Sequence, residues 1–318
     1  MTEPGGGGSA ANGRLTERQF RELYERLRAV PEWGPRDRRG ALNYITPDVV
    51  AAACRDVRLG QSVSLAAPIE DRAGPDNPEP ASHQMNRGQD VPPAARGLTF
   101  AADRFAMNVH GDADSHLDAL CHVIYDGHVY NGVDARIITA DGALEESVAA
   151  VADGIVGRGV LLDIPRLRGL PWLEPGEHVT ADDLASAEAA QRVRVGRGDL
   201  LFVRVGHRRR KSELGAWDVT ASRAGLHPTA LEFVAEREVA VLGSDSNSDA
   251  EPSAADGTDF PVHVLAINAL GVHLLDYLQF EDLVPVCEAA DRWSFLAVVA
   301  PLRIPGGTGS PVNPIAVM

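Results

Sequence analysis

Gly159-Val160-Leu161-Leu162-Asp163-Ile164 is a short apolar run that reads as a β-strand. Thr180 then opens a helical stretch through Leu184 to Ala190, and Thr180 with Asp183 resembles a capping box in which Asp replaces the usual Glu. Asp199-Leu200-Leu201-Phe202-Val203-Arg204-Val205 returns to the strand pattern. Further strands are expected at Val239-Ala240-Val241-Leu242-Gly243 and Phe295-Leu296-Ala297-Val298-Val299. Helices are expected from Pro228 to Glu236 and from Val262 to Asn268. Strands mixed with helices at this spacing predict one α/β domain, with no internal repeat.

Upstream, Phe20, Leu23, Tyr24 and Leu27 recur at helical spacing behind Thr16, a residue suited to cap the helix, and Pro31 stops it. Thr46 caps a second short helix, Pro47 to Cys54, with proline at its first position. Val63-Ser64-Leu65 reads as a strand, and residues 71–100, rich in Pro, Gly, Asn and Asp, as a long irregular loop. Residues 1–13 are glycine-rich and polar and read as a disordered tail, which leaves 14–318 for the folded unit.

Composition narrows the function classes. The 318 residues carry a formal net charge of −15, a field that repels nucleic acid. Arg208-Arg209-Arg210-Lys211 is the one basic run and reads as a solvated loop, with His207 beside it at the surface. Aromatics make up 5%, so the core must be mostly Val, Leu, Ile and Ala. Cys54, Cys121 and Cys287 are too few and too widely spaced for a disulfide framework or a CxxC site, which points to a reducing cytoplasm. No run approaches the roughly 18 apolar residues of a membrane helix, and no signal peptide is read at the N-terminus.

The chemistry concentrates between Val109 and His122. Asp112, His116, Asp118 and His122 stand at offsets i, i+4, i+6 and i+10. On an extended strand the side chains of His116 and Asp118 face the same side. Imidazole and carboxylate together suit Zn²⁺ or Mn²⁺, and metal-bound water ionises near neutral pH and attacks a carbonyl. A nearby histidine then moves protons. Polar loops also gather histidines and aspartates without any metal, and Asp112 and Asp114 have the chemistry of turn residues. Cys121, next to His122, points the other way on such a strand and reads as a core residue. Trp33 and Phe100 are candidate pocket aromatics, and Asp245 and Asp249, after an apolar strand, are candidates for positioning substrate. His83, Asn86 and Arg87 lie in the long loop as lid candidates, with solvated loop the plainer reading.

The order of these residues resembles a known signature. Ser115-His116-Leu117-Asp118-Ala119-Leu120-Cys121-His122, followed by Tyr125-Asp126-Gly127-His128, is similar to the His-x-Gly-Thr-His-x-Asp-x-x-x-His motif of the putative cyclase family, which includes bacterial kynurenine formamidases and isatin hydrolases. The likeness extends through Trp33-Gly34 and Gly40-Ala41-Leu42-Asn43-Tyr44-Ile45-Thr46-Pro47, Arg158–Asp163, Gly198–Leu201, Gly225-Leu226-His227, Ser244-Asp245-Ser246, Pro261-Val262-His263 and Gly309-Ser310-Pro311. It implies a barrel-like mixed β core flanked by helices, a Zn or Mn cation, a small-molecule substrate and a homodimer or homotetramer. By position, it implies metal ligands at Asp112, His116, Asp118 and Asp276, with His110 replacing Asp112 if the loop bulges. His122 falls on the general acid/base, and His263 on a histidine that binds metal or touches substrate. This sequence departs from the pattern at Asp112 (His in the family), at Asp114-Ser115 (Gly-Thr) and at Asp276 (commonly Glu).

Three functions follow. The first is hydrolysis of an amide, lactam or lactone carbonyl of a small aromatic or cyclic molecule, with metal-bound water as nucleophile. The second is a cyclase or dehydratase of natural-product biosynthesis using the same groups, with or without metal. The third is a small-molecule-binding homologue that has lost catalysis.

Overall fold

The computed structural model describes residues 13–86 and 100–318. The expected tail therefore lies outside the described residues except for Gly13, as do Arg87 and the middle of the long loop. Nine strands form one sheet, curled into half a barrel. In chain order they are β1 (Ser62–Ser64), β2 (His116–Asp118), β3 (Ile155–Asp163), β4 (Leu200–Arg204), β5 (Val241–Ser244), β6 (His273–Asp276), β7 (Ser294–Val299), β8 (Gly309–Pro311) and β9 (Ile315–Val317). The spatial order is β1-β9-β7-β3-β4-β5-β6-β2-β8. The central four, β3 to β6, are mutually parallel, and every flanking pair is antiparallel.

The unbroken apolar runs follow from burial on both faces. Val160, Leu162, Leu201, Val203 and Leu242 point into one core with Phe20, Leu23, Leu27, Leu184 and Leu231 of the helices. Their neighbours Leu161, Leu200, Phe202 and Val241 point into a second core with Phe280, Leu283 and Phe295. The period-two alternation of a strand thus serves two hydrophobic layers. Helix Glu17–Arg28 carries a complete capping box from Thr16 and Gln19, and it buries the four expected residues. Thr180 and Asp183 form the second box, at the start of Ala181–Gln191.

The segment Gly40–Tyr44 is anchored by a close backbone approach. Gly40 has φ +58°, and a Cβ there would stand 2.0 Å from the Gly271 carbonyl oxygen. That oxygen accepts the Ala41 N–H at 2.8 Å. Gly271, itself at φ +68°, ends a π-helix, Val264–Leu270, that continues the helix Pro261–His263. The expected helix from Val262 is therefore present, but more widely wound than the apolar spacing predicts.

Two expectations are corrected. The basic run is a helix, His207–Leu214, rather than a solvated loop, and His207 and Arg208 are buried. Asp245 accepts the N–H groups of Val205, Gly206 and His207 at 2.7, 2.9 and 2.9 Å, which starts that helix and consumes both carboxylate oxygens. The 71–100 segment is not irregular throughout, since Ser82–Asn86 pairs antiparallel with Ala102–Ala106. Among the described residues no helix is long and apolar enough to cross a membrane.

Candidate metal centre

Sheet register assembles the site. β2 lies antiparallel to β6, so His116 stands opposite Asp276 and Asp118 opposite Leu274. Residues two apart on a strand share a face, and His116, Asp118 and Asp276 therefore converge. One ligand atom from each lies within 4.8 Å of the others, and the same holds for His110, Asp118 and His122. Asp118 belongs to both groups.

His116 and His263 are each oriented through Nδ1. His116 Nδ1 donates to the Asp114 carbonyl at 2.8 Å, leaving Nε2 as the lone pair 3.7 Å from Asp118 Oδ1. His263 Nδ1 meets Asp249 Oδ2 at 2.6 Å, and its Nε2 lies 3.5 Å from both Asp118 Oδ2 and Asp276 Oδ2. His110 Nδ1 contacts Asp118 Oδ1 at 2.8 Å and its ring stacks on His122 at 3.7 Å. Gly309 leaves room for this histidine, because a Cβ there would stand 2.7 Å from His110 Cε1. Asp276 is held by Ser248, whose Oγ donates at 2.6 Å and whose N–H donates at 3.1 Å.

The donors fit a divalent cation. Asp118 is fully buried, yet its Oδ2 has no hydrogen-bond partner among the described residues. A buried, unpaired carboxylate oxygen is costly unless a cation serves it. The separations of 3.5–3.7 Å are too long for hydrogen bonds. They are near the roughly 3.4 Å between ligand atoms around a tetrahedral ion with bonds of about 2.0–2.1 Å.

The neighbouring histidines and carboxylates also shift one another's protonation. Burial by itself would raise Asp118, but His110, His263, His116 and His122 together hold it well below the usual carboxylate range. Burial would lower His263, but the Asp118, Asp249 and Asp276 carboxylates outweigh it and raise it well above an ordinary histidine. Burial raises Asp276, with the nearby Asp118 charge adding to it. His122 is pushed down to about 4, first by burial, so it is a neutral imidazole at pH 7.

A cavity of about 570 Å³ opens on this centre, with His110, Asp112, His116, Asp118, His122, Asn247 and His263 on its walls. Ile124 and Phe260 stand at it half-exposed, and no lysine or arginine lines it among the described residues.

The structure brings His116, Asp118, Asp276, His122 and His263 together, as the sequence led one to expect. Asp112 is corrected. It lines the cavity but is in neither ligand group; its Oδ1 accepts the Tyr277 hydroxyl at 2.9 Å, and His110, the expected substitute, stands with Asp118. The three expected substrate contacts are also corrected. Trp33 packs edge-on against Tyr44, Phe100 is 76% exposed, and Asp245 is buried under a helix N-terminus; none lines the cavity. His83 pairs with Asp103 on the exposed hairpin, and Cys121 is buried in the second core with its thiol pushed up to about 12 by burial. Asn247, Phe260 and Tyr277 were not anticipated from the sequence. Only the polar run Ser246-Asn247-Ser248-Asp249 after a buried strand carries a signal for the first.

The chain belongs to the cyclase family: the family model described as "Putative cyclase" matches residues 44–249. A crystal structure titled as a novel cyclase is 31% identical, covers 93% of this chain and 99% of its own, and superposes with a TM-score of 0.82. Isatin hydrolase A from Labrenzia aggregata, bound to benzyl benzoate, is 22% identical over 80% of this chain and 93% of its own, with a TM-score of 0.58. A protein titled predicted metal-dependent hydrolase from Bacillus stearothermophilus is 19% identical over 80% of this chain and 97% of its own, with a TM-score of 0.50. No curated protein matches the chain.

Proposed function

We propose that this chain is a divalent-metal-dependent hydrolase of an amide, lactam or lactone carbonyl in a small cyclic or aromatic molecule. The observation that carries the reading is Asp118, fully buried, with one oxygen unpaired amid imidazole nitrogens and a second carboxylate. His116, Asp118 and Asp276 would hold the ion, with His263 or His110 completing the set. Zn²⁺ or Mn²⁺ suits these N and O donors. A bound cation of this kind supplies Lewis acidity toward water and carbonyl oxygen.

The chain's own groups do the rest. His122, neutral and on the cavity wall, accepts the proton of the attacking water and returns it to the leaving nitrogen or oxygen. The Asp114 carbonyl fixes the tautomer of His116, so that it presents Nε2 to the centre, and Asp249 holds the His263 ring with Nε2 toward Asp118 and Asp276. Ile124 and Phe260 supply apolar surface for a ring, and the absence of cationic side chains on the described wall favours a substrate without a carboxylate. The inactive-homologue reading rested on Asp112 and Asp114. His110, the expected substitute for Asp112, stands with Asp118 and His122, and Asp114 accepts the Glu70 N–H at 3.0 Å, a structural task. A cytoplasmic location and a homodimer or homotetramer accompany the proposal.

The test is turnover of formamides, lactams and lactones by the metal-supplemented protein and by His122→Ala. The variant should keep its fold and lose on the order of 10²–10⁴-fold in the chemical step. Equal turnover would remove His122 from the mechanism.

A further inference from the structure

Among the polar side chains on the cavity wall that serve neither the ligand groups nor proton transfer, Asn247 is held in place on both sides. Asn247 follows β5, lines the cavity and is 8% exposed. Its Oδ1 accepts the Asp249 N–H at 2.9 Å. A backbone N–H only donates, so this contact fixes which end of the amide is which. Nδ2 is left without a hydrogen-bond partner among the described residues. Both neighbours are rigidly placed. Ser248 grips Asp276, and Asp249 accepts the Val262 N–H at 2.6 Å and the His263 N–H at 3.0 Å. A preorganised amide donor therefore stands on the wall of the cavity that holds the candidate ligands, held by the same loop that fixes two of them.

We infer that Asn247 is a substrate-contacting residue whose Nδ2 donates to the substrate's carbonyl oxygen; this rests on the hydrolase reading above. Addition of water forms a C–O bond and moves the C=O π pair onto that oxygen, while the water's proton passes to His122. The C–N or C–O bond then breaks as His122 returns the proton to the departing atom. A fixed donor stabilises the oxygen most when it carries this charge. The competing explanation is purely structural: Asn247 closes a local turn through Oδ1 alone. Aspartate offers the same acceptor oxygen and no donor, so the two roles separate.

The experiment compares wild type, Asn247→Asp and Asn247→Ala, each loaded with Zn²⁺ or Mn²⁺, using isatin as a neutral lactam probe alongside the formamide and lactone panel. Melting temperature and metal content are measured in parallel. The expected result is a fall of about 10²–10³-fold in kcat for both variants, little change in KM, and unchanged metal content. If N247D keeps wild-type kcat, or falls while N247A does not, the inference is overturned and the hydrolase reading survives. If the wild type turns over nothing, the reading fails, and probe binding decides the inference. At least tenfold tighter binding of a cyclic phosphonate, which mimics the charged tetrahedral adduct, by wild type than by N247A upholds it, and equal or absent binding overturns it.

Discussion

Replacing Glu146 with glutamine removes a charge that the fold accommodates poorly. The Glu146 side chain is fully buried, and neither carboxylate oxygen has a hydrogen-bond partner among the described residues. The nearest cation, Arg38, sits 3.7 Å away and pairs more closely with Glu145 at 2.6 Å. Burial raises the carboxyl to about 8 from its ordinary 4.5, against the partial relief of Arg38. The folded state thus binds this proton more tightly than the unfolded chain does. Its contribution to stability is fully present below pH 4.5 and is lost as pH rises through about 8. The loss amounts to about 3 kcal/mol at pH 7 and about 4–5 kcal/mol above pH 8. Urea unfolding of wild type and Glu146→Gln from pH 5 to 9 isolates this contribution, because all other titrating groups are common to both. The buried amide has a pH-independent cost of its own, so the slope of the difference is the quantity to read. The variant should gain on wild type steadily between pH 5 and 8. A difference that stays flat over that range would refute the burial argument.

Arg208→Met removes donors to the Ala113, Leu278 and Tyr277 carbonyls while keeping much of the buried volume. About 2–4 kcal/mol of stability should be lost in denaturant titration. Turnover should fall as well, because Tyr277, at φ +54°, follows the candidate ligand Asp276. Gly40→Ala should be destabilised by more than about 2 kcal/mol or be insoluble, since its methyl group would collide with the Gly271 carbonyl. A melting temperature equal to wild type would show that the Gly40–Gly271 approach is not rigid.

Much of this was legible in the sequence where one physical rule acted alone. Three of the four parallel strands, β3, β4 and β5, announced themselves as apolar runs because both of their faces are buried, whereas β6, with His273 and Asp276 at its ends, did not. The capped helices at Thr16 and Thr180 were legible from local chemistry. The short strands Gly309–Pro311 and Ile315–Val317 were not, because pairing rather than composition defines them. Arg208 was misread because a buried arginine satisfied by three carbonyls has the sequence of a solvated one. Asp245 sits in the polar stretch after a strand, and nothing local says that it starts a helix rather than faces a cavity. His116 and Asp118 were legible from strand alternation. The exchange of Asp112 for His110 depends on a distant residue, Gly309, leaving space for the ring.

The most direct measurement is the metal content of the purified protein by elemental analysis, before and after chelation, beside Asp118→Asn. The account predicts about one or two equivalents of Zn or Mn in the wild type, recovered on adding the ion back, and little in the variant. Absence of metal from wild type after Zn²⁺ and Mn²⁺ have both been offered would contradict it.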